Sequence, residues 1–279
     1  MRLTTKIIVG IISFIFLFSL IFIIGFSFSD RTEKRNFNVD QGSISRENKK
    51  EIELDFFKTI SINYLNDTID YNISPRGTIS IRPLLGNEKN KLIVSEEMNS
   101  YLTLNISNDT LKILFDRKKF YEKYRLDEEY PQYKHFYTSI EGGEMTLQSN
   151  YVDIISNFTA LDIDIKDIRT NHIKVSTFAS ILIDSCEAIS VSPYNYNLNN
   201  QKFTLKNSKV EELNIDLDFI SNWSVEKCEL TRKNITGSGK NSANLNKYES
   251  MELNWLPKDR NATLNLTLYG DTSKVVVKN

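Results

Sequence analysis

The stretch "LDIDIKDIRTNHIKV", residues 161–175, alternates apolar and polar side chains along most of its length. Successive side chains of a β-strand point to opposite faces, so this alternation predicts strands with one buried and one solvated face. Ile163 and Ile165 would face a core, whereas Asp162 and Asp164 would face solvent. The stretch therefore predicts β-structure, and it raises the question of whether its acidic residues form a site.

The apolar pair of this strand recurs along the chain at intervals of 18 to 22 residues. The aligned pairs are Ile163 and Ile165, Ile181 and Ile183, Phe203 and Leu205, and Trp223 and Val225. A repeat of this length is typical of a solenoid, in which each repeat adds one coil and neighbouring coils share a core. We therefore predict an all-β fold, a parallel β-helix-like solenoid.

Further apolar pairs extend the pattern beyond these four repeats. The same pair occurs at Met145 and Leu147, Ala243 and Leu245, and Leu264 and Leu266. A second apolar strand follows in several repeats, at Ile173 and Val175, Ile189 and Val191, Leu213 and Ile215, and Met251, Leu253 and Trp255. Each coil is therefore expected to hold two strands, and the solenoid domain is predicted to span residues 53–279.

The same alignment produces two columns of charged residues. They are Lys166, Asp184, Lys206 and Glu226, and Arg169, Glu187, Lys209 and Glu229. Both columns alternate in sign, so strands stacked about 4.8 Å apart would place opposite charges side by side and help to fix the register.

The alignment also answers the question about the acidic residues. A carboxylate cluster that binds Ca²⁺ or activates a sugar, as in β-helical polysaccharide lyases, needs acidic residues stacked from coil to coil. In this frame Asp164 aligns with Leu182, Thr204 and Ser224. The acidic residues of the opening stretch are therefore predicted to lie on a solvated face.

The N-terminus contains an uncharged run from Ile7 to Ser29, preceded by Arg2 and Lys6. At about 1.5 Å per residue, a helix of this length crosses a hydrocarbon core of roughly 30 Å. Residues 1–29 are therefore predicted to form a transmembrane anchor, with a cleaved signal segment as the alternative. The preceding basic residues place the rest of the chain outside the cytoplasm. Residues 30–52 are polar and charged and are predicted to be a linker.

Composition and motifs argue against several classes of protein. The 35 basic and 36 acidic residues give a formal net charge of −1, which argues against a nucleic-acid-binding protein. His135 and His172, the only histidines, have no Cys or carboxylates at metal-ligand spacing, so neither a metal nor a cofactor is predicted. Cys186 and Cys228 align two coils apart with Ser208 between them, about 9–10 Å by strand spacing. This separation is too long for a disulfide, so two free thiols are expected.

The first strands of the domain, residues 54–116, resemble a known family in the spacing of their apolar residues. Phe57 and Ile60 match the opening of auto-transporter adhesin head domains of the GIN type, and Leu111 and Ile113 match a later strand of those domains. The resemblance implies a parallel β-helix-like fold outside the cytoplasm over the predicted domain. It implies no catalytic residue, because the family has no defined activity.

Residues 115–143 interrupt the repeat and concentrate aromatic side chains among charged ones. The aromatic residues of interest are Phe120, Tyr121, Tyr124, Tyr130, Tyr133, Phe136 and Tyr137. The first three fall on one face if residues 117–126 are helical. One interpretation is that this excursion covers an open flank of the sheet. The other is that it forms a recognition surface for a glycan or a protein.

The sequence thus predicts a non-catalytic, membrane-anchored binding module of an envelope or adhesion type, with its main domain outside the cytoplasm. The partners considered are an envelope glycan or protein, and the membrane through residues 1–29. Two alternatives stay open. A carbohydrate-active β-helix enzyme, a polysaccharide lyase or hydrolase, would need convergent acid, base or metal groups, and a self-assembling envelope scaffold would need uncapped coil ends.

Overall fold

A computed structural model of the protein describes residues 43–65, 72–86, 88–124, 137–196, 201–246 and 252–269. These residues belong to one structural unit, Gly42–Asn279. The predicted anchor, residues 1–29, lies outside the described residues. Within the described part of the chain, no helix has the length and apolar character needed to cross a membrane.

Most of the regular structure is β-strand. The first strands are β1 (Lys49–Glu53), β2 (Thr59–Leu65), β3 (Asn72–Pro75), β4 (Gly77–Arg82), β5 (Lys91–Ser95), β6 (Leu102–Ser107), β7 (Thr110–Asp116), β8 (Tyr137–Ile140) and β9 (Met145–Gln148). The next are β10 (Ile154–Asn157), β11 (Leu161–Lys166), β12 (Arg169–Thr177), β13 (Ile181–Asp184), β14 (Glu187–Asn195) and β15 (Phe203–Lys206). The last are β16 (Lys209–Asp216), β17 (Trp223–Glu226), β18 (Glu229–Gly237), β19 (Lys240–Asn246), β20 (Glu252–Pro257) and β21 (Thr263–Tyr269). Two short helices, α1 (Glu96–Ser100) and α2 (Arg117–Tyr124), interrupt them, so the predicted all-β class is confirmed.

The strands form two main sheets. Sheet A has the order β1-β5-β9-β4-β11-β13-β15-β17, and sheet B has the order β20-β18-β16-β14-β12-β10-β2-β7-β6. From β10 to β18 successive strands alternate between the sheets, and all of their pairings are parallel. Each turn of the chain therefore adds one strand to each sheet, which is the stacking that the repeat predicts. Two short sheets pair β3 with β8 and β19 with β21.

The register of sheet A is the one that the apolar pairs predict. The first positions of the pairs follow one another across the sheet in the order Ile163, Ile181, Phe203 and Trp223. The first three are buried because they point into the space between the sheets, whereas Trp223 is only partly buried. Core burial thus continues from coil to coil along the stack.

Both predicted charge columns are present in that register. In the first column, Lys206 forms an ion pair with Asp184 at 3.5 Å. In the second, Arg169 pairs with Glu187 at 3.3 Å and Lys209 pairs with Glu229 at 3.7 Å. An exposed ion pair contributes only about 0–1 kcal/mol, so the main effect of these columns is to disfavour alternative registers.

From β11 to β18, a two-residue corner joins each strand of sheet A to the next strand of sheet B. Its first residue has a positive φ in four successive coils, at Asp167 (59°), Ser185 (55°), Asn207 (49°) and Lys227 (52°). This left-handed conformation turns the chain within one residue, and it suits Asn and Asp better than Ser and Lys.

The second residue of each corner forms a column that contains both cysteines. Its members in chain order are Ile168, Cys186, Ser208 and Cys228. The Ser208 hydroxyl separates the thiols and accepts a hydrogen bond from the Cys186 N–H at 3.0 Å. Both thiols are free, which confirms the prediction. Burial raises the pKa of Cys186 to about 11, so this thiol stays protonated and unreactive near neutral pH.

The N-terminal part of the domain departs from sequential stacking. Strands β2 and β4 lie between β7 and β9 on one side and β10 and β11 on the other, although all four of these neighbours come later in the chain. Strands β1, β5 and β6 run antiparallel to their neighbours and end the two sheets on that side. The domain therefore combines a regular stack with an irregular end.

Residues 43–52 belong to the folded domain, which corrects the predicted linker. Strand β1 pairs with β5, and Ile44 is buried with its N–H donating to the Glu141 carbonyl at 2.9 Å. The apolar pattern did not indicate this strand, because the segment is mostly charged and only Ile52 of β1 packs against the core.

Two parts of the predicted apolar pattern are wrong, one in the second strands and one in the recurring pair. Ile189 is 44% exposed, because two residues separate the inward-facing Ala188 and Val191 where the strand departs from strict alternation. Ala243 pairs with Leu266, two residues away from its predicted partner, and β19 and β21 form a sheet of their own. Met251 lies outside the described residues.

Candidate binding surface

The structure assigns Phe120 to the core. This residue of α2 is fully buried, and its ring lies 4.8 Å from that of Tyr101 and 5.6 Å from that of Phe115, measured between centroids. In the same helix, the Arg117 guanidinium stacks over the Tyr64 ring at 3.4 Å. A buried ring has no surface for a ligand, so the prediction of Phe120 as a binding residue is corrected to a core-covering role.

The other six predicted residues are placed only in part. Tyr121 and Tyr124 lie in α2, and Tyr137 is the first residue of β8. Tyr130, Tyr133 and Phe136 lie outside the described residues, as does His135. The recognition role of these six aromatic residues stays a prediction.

A different group of aromatic rings, contributed by four consecutive coils, forms a partly exposed cluster on the surface. The group, here named the aromatic strip, consists of Phe158, Phe178, Tyr194, Tyr196 and Phe219. Phe158, Phe178 and Tyr196 are 37%, 41% and 42% exposed, and each directly follows the last residue of a sheet B strand. The strip is therefore a surface feature that repeats with the coils.

Neighbouring rings of the strip are in contact. The Phe178 centroid lies 6.1 Å from that of Phe158 and 4.9 Å from that of Tyr196. The row continues through Tyr194, which lies 4.8 Å from Tyr196 and 3.9 Å from Phe219. The Phe158 centroid also lies 5.7 Å from that of Tyr196, so the three exposed rings contact one another. The interplanar angles within the strip range from 25° to 65°, so the rings do not fully cover each other's faces.

Buried polar residues fix the direction of the exposed rings. The residue before each of the three exposed rings is Asn157, Thr177 or Asn195, and all three are buried. Asn157 Oδ1 accepts a hydrogen bond from the Thr159 N–H at 3.0 Å, and Thr177 Oγ1 accepts one from the Ala179 N–H at 3.0 Å. Because these side chains point inward and hold the corner, the side chain that follows each of them points outward.

Charged residues lie at the Phe219 end of the strip. Lys258 Nζ lies 5.1 Å from the Phe219 centroid and donates to Asp216 at 2.6 Å and to Asp218 at 2.9 Å. The backbone N–H of Ser238, followed by Lys258, lowers the pKa of Asp218 below its ordinary value. The strip therefore ends in ionised groups whose charges are partly balanced.

The phenol of Tyr194 also has a shifted pKa. Burial raises it first, and the neighbouring Tyr196 and Asp216 raise it further, while Lys258 opposes the shift. The hydroxyl is therefore protonated near neutral pH and can donate a hydrogen bond beside the apolar row.

The outer face of sheet A carries a groove of about 340 Å³. Its lining includes Arg46, Glu144 and Asp164. Arg46 pairs with Glu144 at 2.8 Å, and Asp164 forms an ion pair with Arg82. In the sheet, Asp164 neighbours Leu182, so the predicted solvated face of the opening stretch is confirmed and the carboxylates do not stack.

Metal-ligand geometry is missing from the described part of the chain. No group of three or more His, Cys, Asp or Glu residues within it is arranged to hold a metal ion. The exposed His172 has its Nδ1 atom 2.9 Å from the Ser190 hydroxyl, as part of the outer face of sheet B.

The sequence contains a signal for the strip that the repeat alignment left unused. The dipeptides Asn157–Phe158, Thr177–Phe178 and Asn195–Tyr196 are separated by 20 and 18 residues. These steps match the period of the apolar pairs, so an exposed aromatic column could have been read in the same frame. Phe219 follows a less regular corner and has no equivalent signal.

Comparisons with known proteins give structural likenesses only. No protein-family model matches the chain and no curated protein is similar to it, so the family resemblance is not established. The fold is similar to two proteins provisionally named as adhesins. The one from Parabacteroides merdae is 11% identical and has a TM-score of 0.38, over 81% of this chain and 93% of that one. The one from Parabacteroides distasonis is 7% identical and has a TM-score of 0.44, over 82% and 98%.

A third similar structure, also from Parabacteroides distasonis, is provisionally named as a lipid-binding protein. It is 9% identical with a TM-score of 0.37, over 81% of this chain and 96% of that one. Likenesses at these identities and TM-scores do not transfer a ligand or an activity to this chain. The function is therefore argued from the strip itself.

Proposed function

We propose that the protein is a non-catalytic binding module of an envelope or adhesion type. In this proposal the main domain lies outside the cytoplasm, and residues 1–29 hold it at the membrane. The observation that carries the binding function is the aromatic strip, a continuous row of partly exposed rings on a regular stack of coils. Contiguous exposed apolar surface is more typical of an interaction site than singly scattered apolar residues are.

A purely stabilising role explains the strip less well. Each aromatic contact between coils contributes about 0.5–1.5 kcal/mol, so stacking alone has some value. The corners beneath Phe158 and Phe178 are already held by the buried Asn157 and Thr177, which bond to the backbone. The same stacking energy would be available to rings turned inward, where they would also lose contact with water.

A carbohydrate-active enzyme is a weaker candidate. Catalysis by paired carboxylates requires two acidic groups that face one substrate at a defined separation. On the outer face of sheet A, Asp164 is engaged by Arg82, and Asp162 accepts a hydrogen bond from the Ser180 N–H at 2.9 Å. Both carboxylates are thus engaged in contacts that stabilise the domain.

The excursion at residues 115–143 is the second candidate surface. Its first part is anchored by the buried Phe120, and its remaining aromatic residues are those predicted to contact a partner. Replacing residues 125–136 with a Gly/Ser linker, together with Tyr121→Ser, Tyr124→Ser and Tyr137→Ser, separates the two surfaces. Binding that survives this replacement assigns recognition to the strip, and binding that is lost assigns it to the excursion.

The experiment that tests the proposal measures binding of the purified full-length protein, kept in detergent, to bacterial cell envelopes extracted with the same detergent, so that residues 1–29 have no bilayer to enter. We expect the wild type to bind, and the triple variant Phe158→Ser, Phe178→Ser, Tyr196→Ser to bind at least about tenfold more weakly because apolar contact is lost. The matched control is Phe56→Ser with Tyr151→Ser. This pair is 48% and 60% exposed and has its centroids 5.9 Å apart, but it lies outside the strip. Equal losses in both variants, or full binding by the triple variant, would contradict the proposal.

A further inference from the structure

We propose that the ligand of the aromatic strip is an uncharged glycan. This inference rests on the proposed binding function and adds the chemical class of the ligand. It follows from the shape of the strip, its exposed area, and the charges at its end.

The exposed part of the strip is compact. The centroids of Phe158, Phe178 and Tyr196 lie 4.9–6.1 Å from one another, so these three exposed rings form a triangle. The partly buried Tyr194 and Phe219 extend this group towards the next coil. A surface of this size fits the face of a sugar ring.

The exposed area of the strip is too small for a stable contact with a globular protein. An aromatic side chain presents about 150–250 Å² in all, so three rings that are two-fifths exposed present on the order of 200–300 Å². A specific protein–protein interface uses about 800 Å² on each partner. The area therefore favours a slim ligand.

The chemistry of the rings suits the faces of sugars. A sugar ring presents C–H groups on its faces and hydroxyl groups around its edge. Aromatic faces carry partial negative charge and attract C–H groups, while the Tyr194 and Tyr196 phenols lie within the row and can hydrogen-bond hydroxyls. A lipid chain could use the rings but would leave these phenols without a polar partner from the ligand.

The charges at the end of the strip select against acidic chains. Lys258 neutralises only one of its two partners, Asp216 and Asp218, so this cluster of three groups carries a net negative charge. The lowered pKa of Asp218 keeps its carboxylate ionised near neutral pH. An acidic polysaccharide would be repelled here, whereas carboxylates accept hydrogen bonds from the hydroxyls of a neutral one.

The first test uses defined ligands with the full-length protein. The probes are neutral hexasaccharides from cellulose, xylan and β-1,4-mannan, whose sugars all carry a 2,3-diol, the acidic chains polygalacturonate and heparin, and phosphatidylcholine vesicles. We expect at least one neutral hexasaccharide to bind, and the triple strip variant to lose at least about tenfold in affinity for it. The control variant at Phe56 and Tyr151 should bind like the wild type, and circular dichroism should show that all variants are folded.

Several outcomes of this test would overturn the inference. They are binding of the acidic chains in preference to every neutral chain, a loss of vesicle binding in the triple variant that exceeds its loss of glycan binding, binding of none of the neutral chains, and equal glycan affinity of the wild type and the triple variant. The last result would leave a glycan-binding protein whose site lies elsewhere.

The second test separates this inference from the proposed function. Cell envelopes are treated either with periodate, which cleaves the vicinal diols of glycans, or with a protease. We expect periodate to abolish strip-dependent binding and protease to leave it intact. Loss after protease with retention after periodate would overturn the glycan but keep the binding module, whereas no binding to untreated envelopes would contradict the proposed function itself.

Discussion

Two groups of aromatic residues in this chain have similar ring contacts and opposite environments. Tyr101, Phe115 and Phe120 lie with their centroids 4.8–6.1 Å apart and are almost fully buried beside α2. Phe158, Phe178 and Tyr196 lie 4.9–6.1 Å apart and remain 37–42% exposed. Ring contact alone therefore does not indicate burial. The buried group has a helix packed against it, whereas the exposed group follows corners held from inside.

The largest effect expected is that of Phe120→Ala on stability. Removing a fully buried phenyl ring should lower the free energy of unfolding by about 3–5 kcal/mol, because the contacts with Tyr101 and Phe115 are lost and a cavity remains. Urea denaturation followed by circular dichroism measures this change, and the folded fraction should bind its ligand like the wild type. A loss below about 1 kcal/mol would show that the two aromatic groups do not differ in this way.

Phe178→Ala should have a small effect on stability and a large effect on binding. The ring is 41% exposed, so its removal should cost only about 1 kcal/mol of stability through the lost contacts with Phe158 and Tyr196. Binding should fall at least about tenfold, because this ring is one of the three exposed rings and contacts the other two. Phe56→Ala is the control for removing an exposed ring, and titration against the glycan or envelope preparation that binds the wild type gives the comparison. The distinction fails if Phe178→Ala unfolds the protein as Phe120→Ala does.

Lys206→Glu tests the column of charges that aligns the coils carrying the strip. The substitution replaces the ion pair with Asp184 by a repulsion and adds a second one with Glu226, so we expect a loss of about 1 kcal/mol. The control is Lys112→Glu, at a strand position whose cross-strand neighbours Ser61 and Asn105 are uncharged. Thermal melts at low and high salt measure the difference, which salt should reduce. Equal shifts for the two variants would mean that the column does not set the register.

The same pair predicts a dependence on pH. Burial raises the pKa of Asp184, but hydrogen bonds from Asn207 and Ser185 and the charge of Lys206 lower it by more, so the net direction is downward. A carboxyl group with a lowered folded pKa stabilises the protein above its unfolded pKa of about 3.9 and loses that contribution as the pH falls through the folded value. The stability difference between wild type and Asp184→Asn should therefore shrink below about pH 4, as measured by urea denaturation. A difference that stays constant down to pH 2 would contradict this assignment.

The smallest effect is expected at the corner opposite the strip. Lys227 has a φ of 52°, a conformation that glycine adopts without strain, so Lys227→Gly should stabilise the protein by about 0.5 kcal/mol. Asn207→Gly should be nearly neutral, because Asn tolerates the same conformation. Melting temperatures measure both changes, and binding should be unaffected since the strip lies at the other corner. Destabilisation by Lys227→Gly would show that the lysine side chain has a role beyond the turn.

The regular stack could be predicted residue by residue because each of its coils repeats the same short pattern of apolar residues. The inward pairs from Ile163 to Val225 allow one consistent alignment, and that alignment also fixes the charge columns and the separation of the cysteines. The irregular end could not be predicted in this way. The placement of β2 and β4 between later strands depends on pairing between distant segments, for which the sequence has no repeat to align.

The candidate site was predicted less well than the fold, for physical reasons. Clustered aromatic residues in a charged segment resemble a surface, but Phe120 is buried because α2 turns that one ring towards Tyr101 and Phe115. The strip is dispersed in the sequence and becomes continuous only after the coils stack. Its three regular rings share the repeat period, whereas the position of Phe219 depends on the conformation of its own corner.

The position of β2 and β4 has a consequence for how the chain folds as it leaves the ribosome. Strands β2 and β4 are synthesised early. They pair with β7 and β9 on one side and with β10 and β11 on the other. Residues 59–82 therefore cannot complete their pairing until about residue 166 has emerged, whereas each later coil can add to a finished neighbour. Until then the edges of β2 and β4 are unpaired, and unpaired strand edges are prone to pair with other chains. The slow step of maturation should thus be closure around this early segment, after which the remaining coils can add in the order of synthesis.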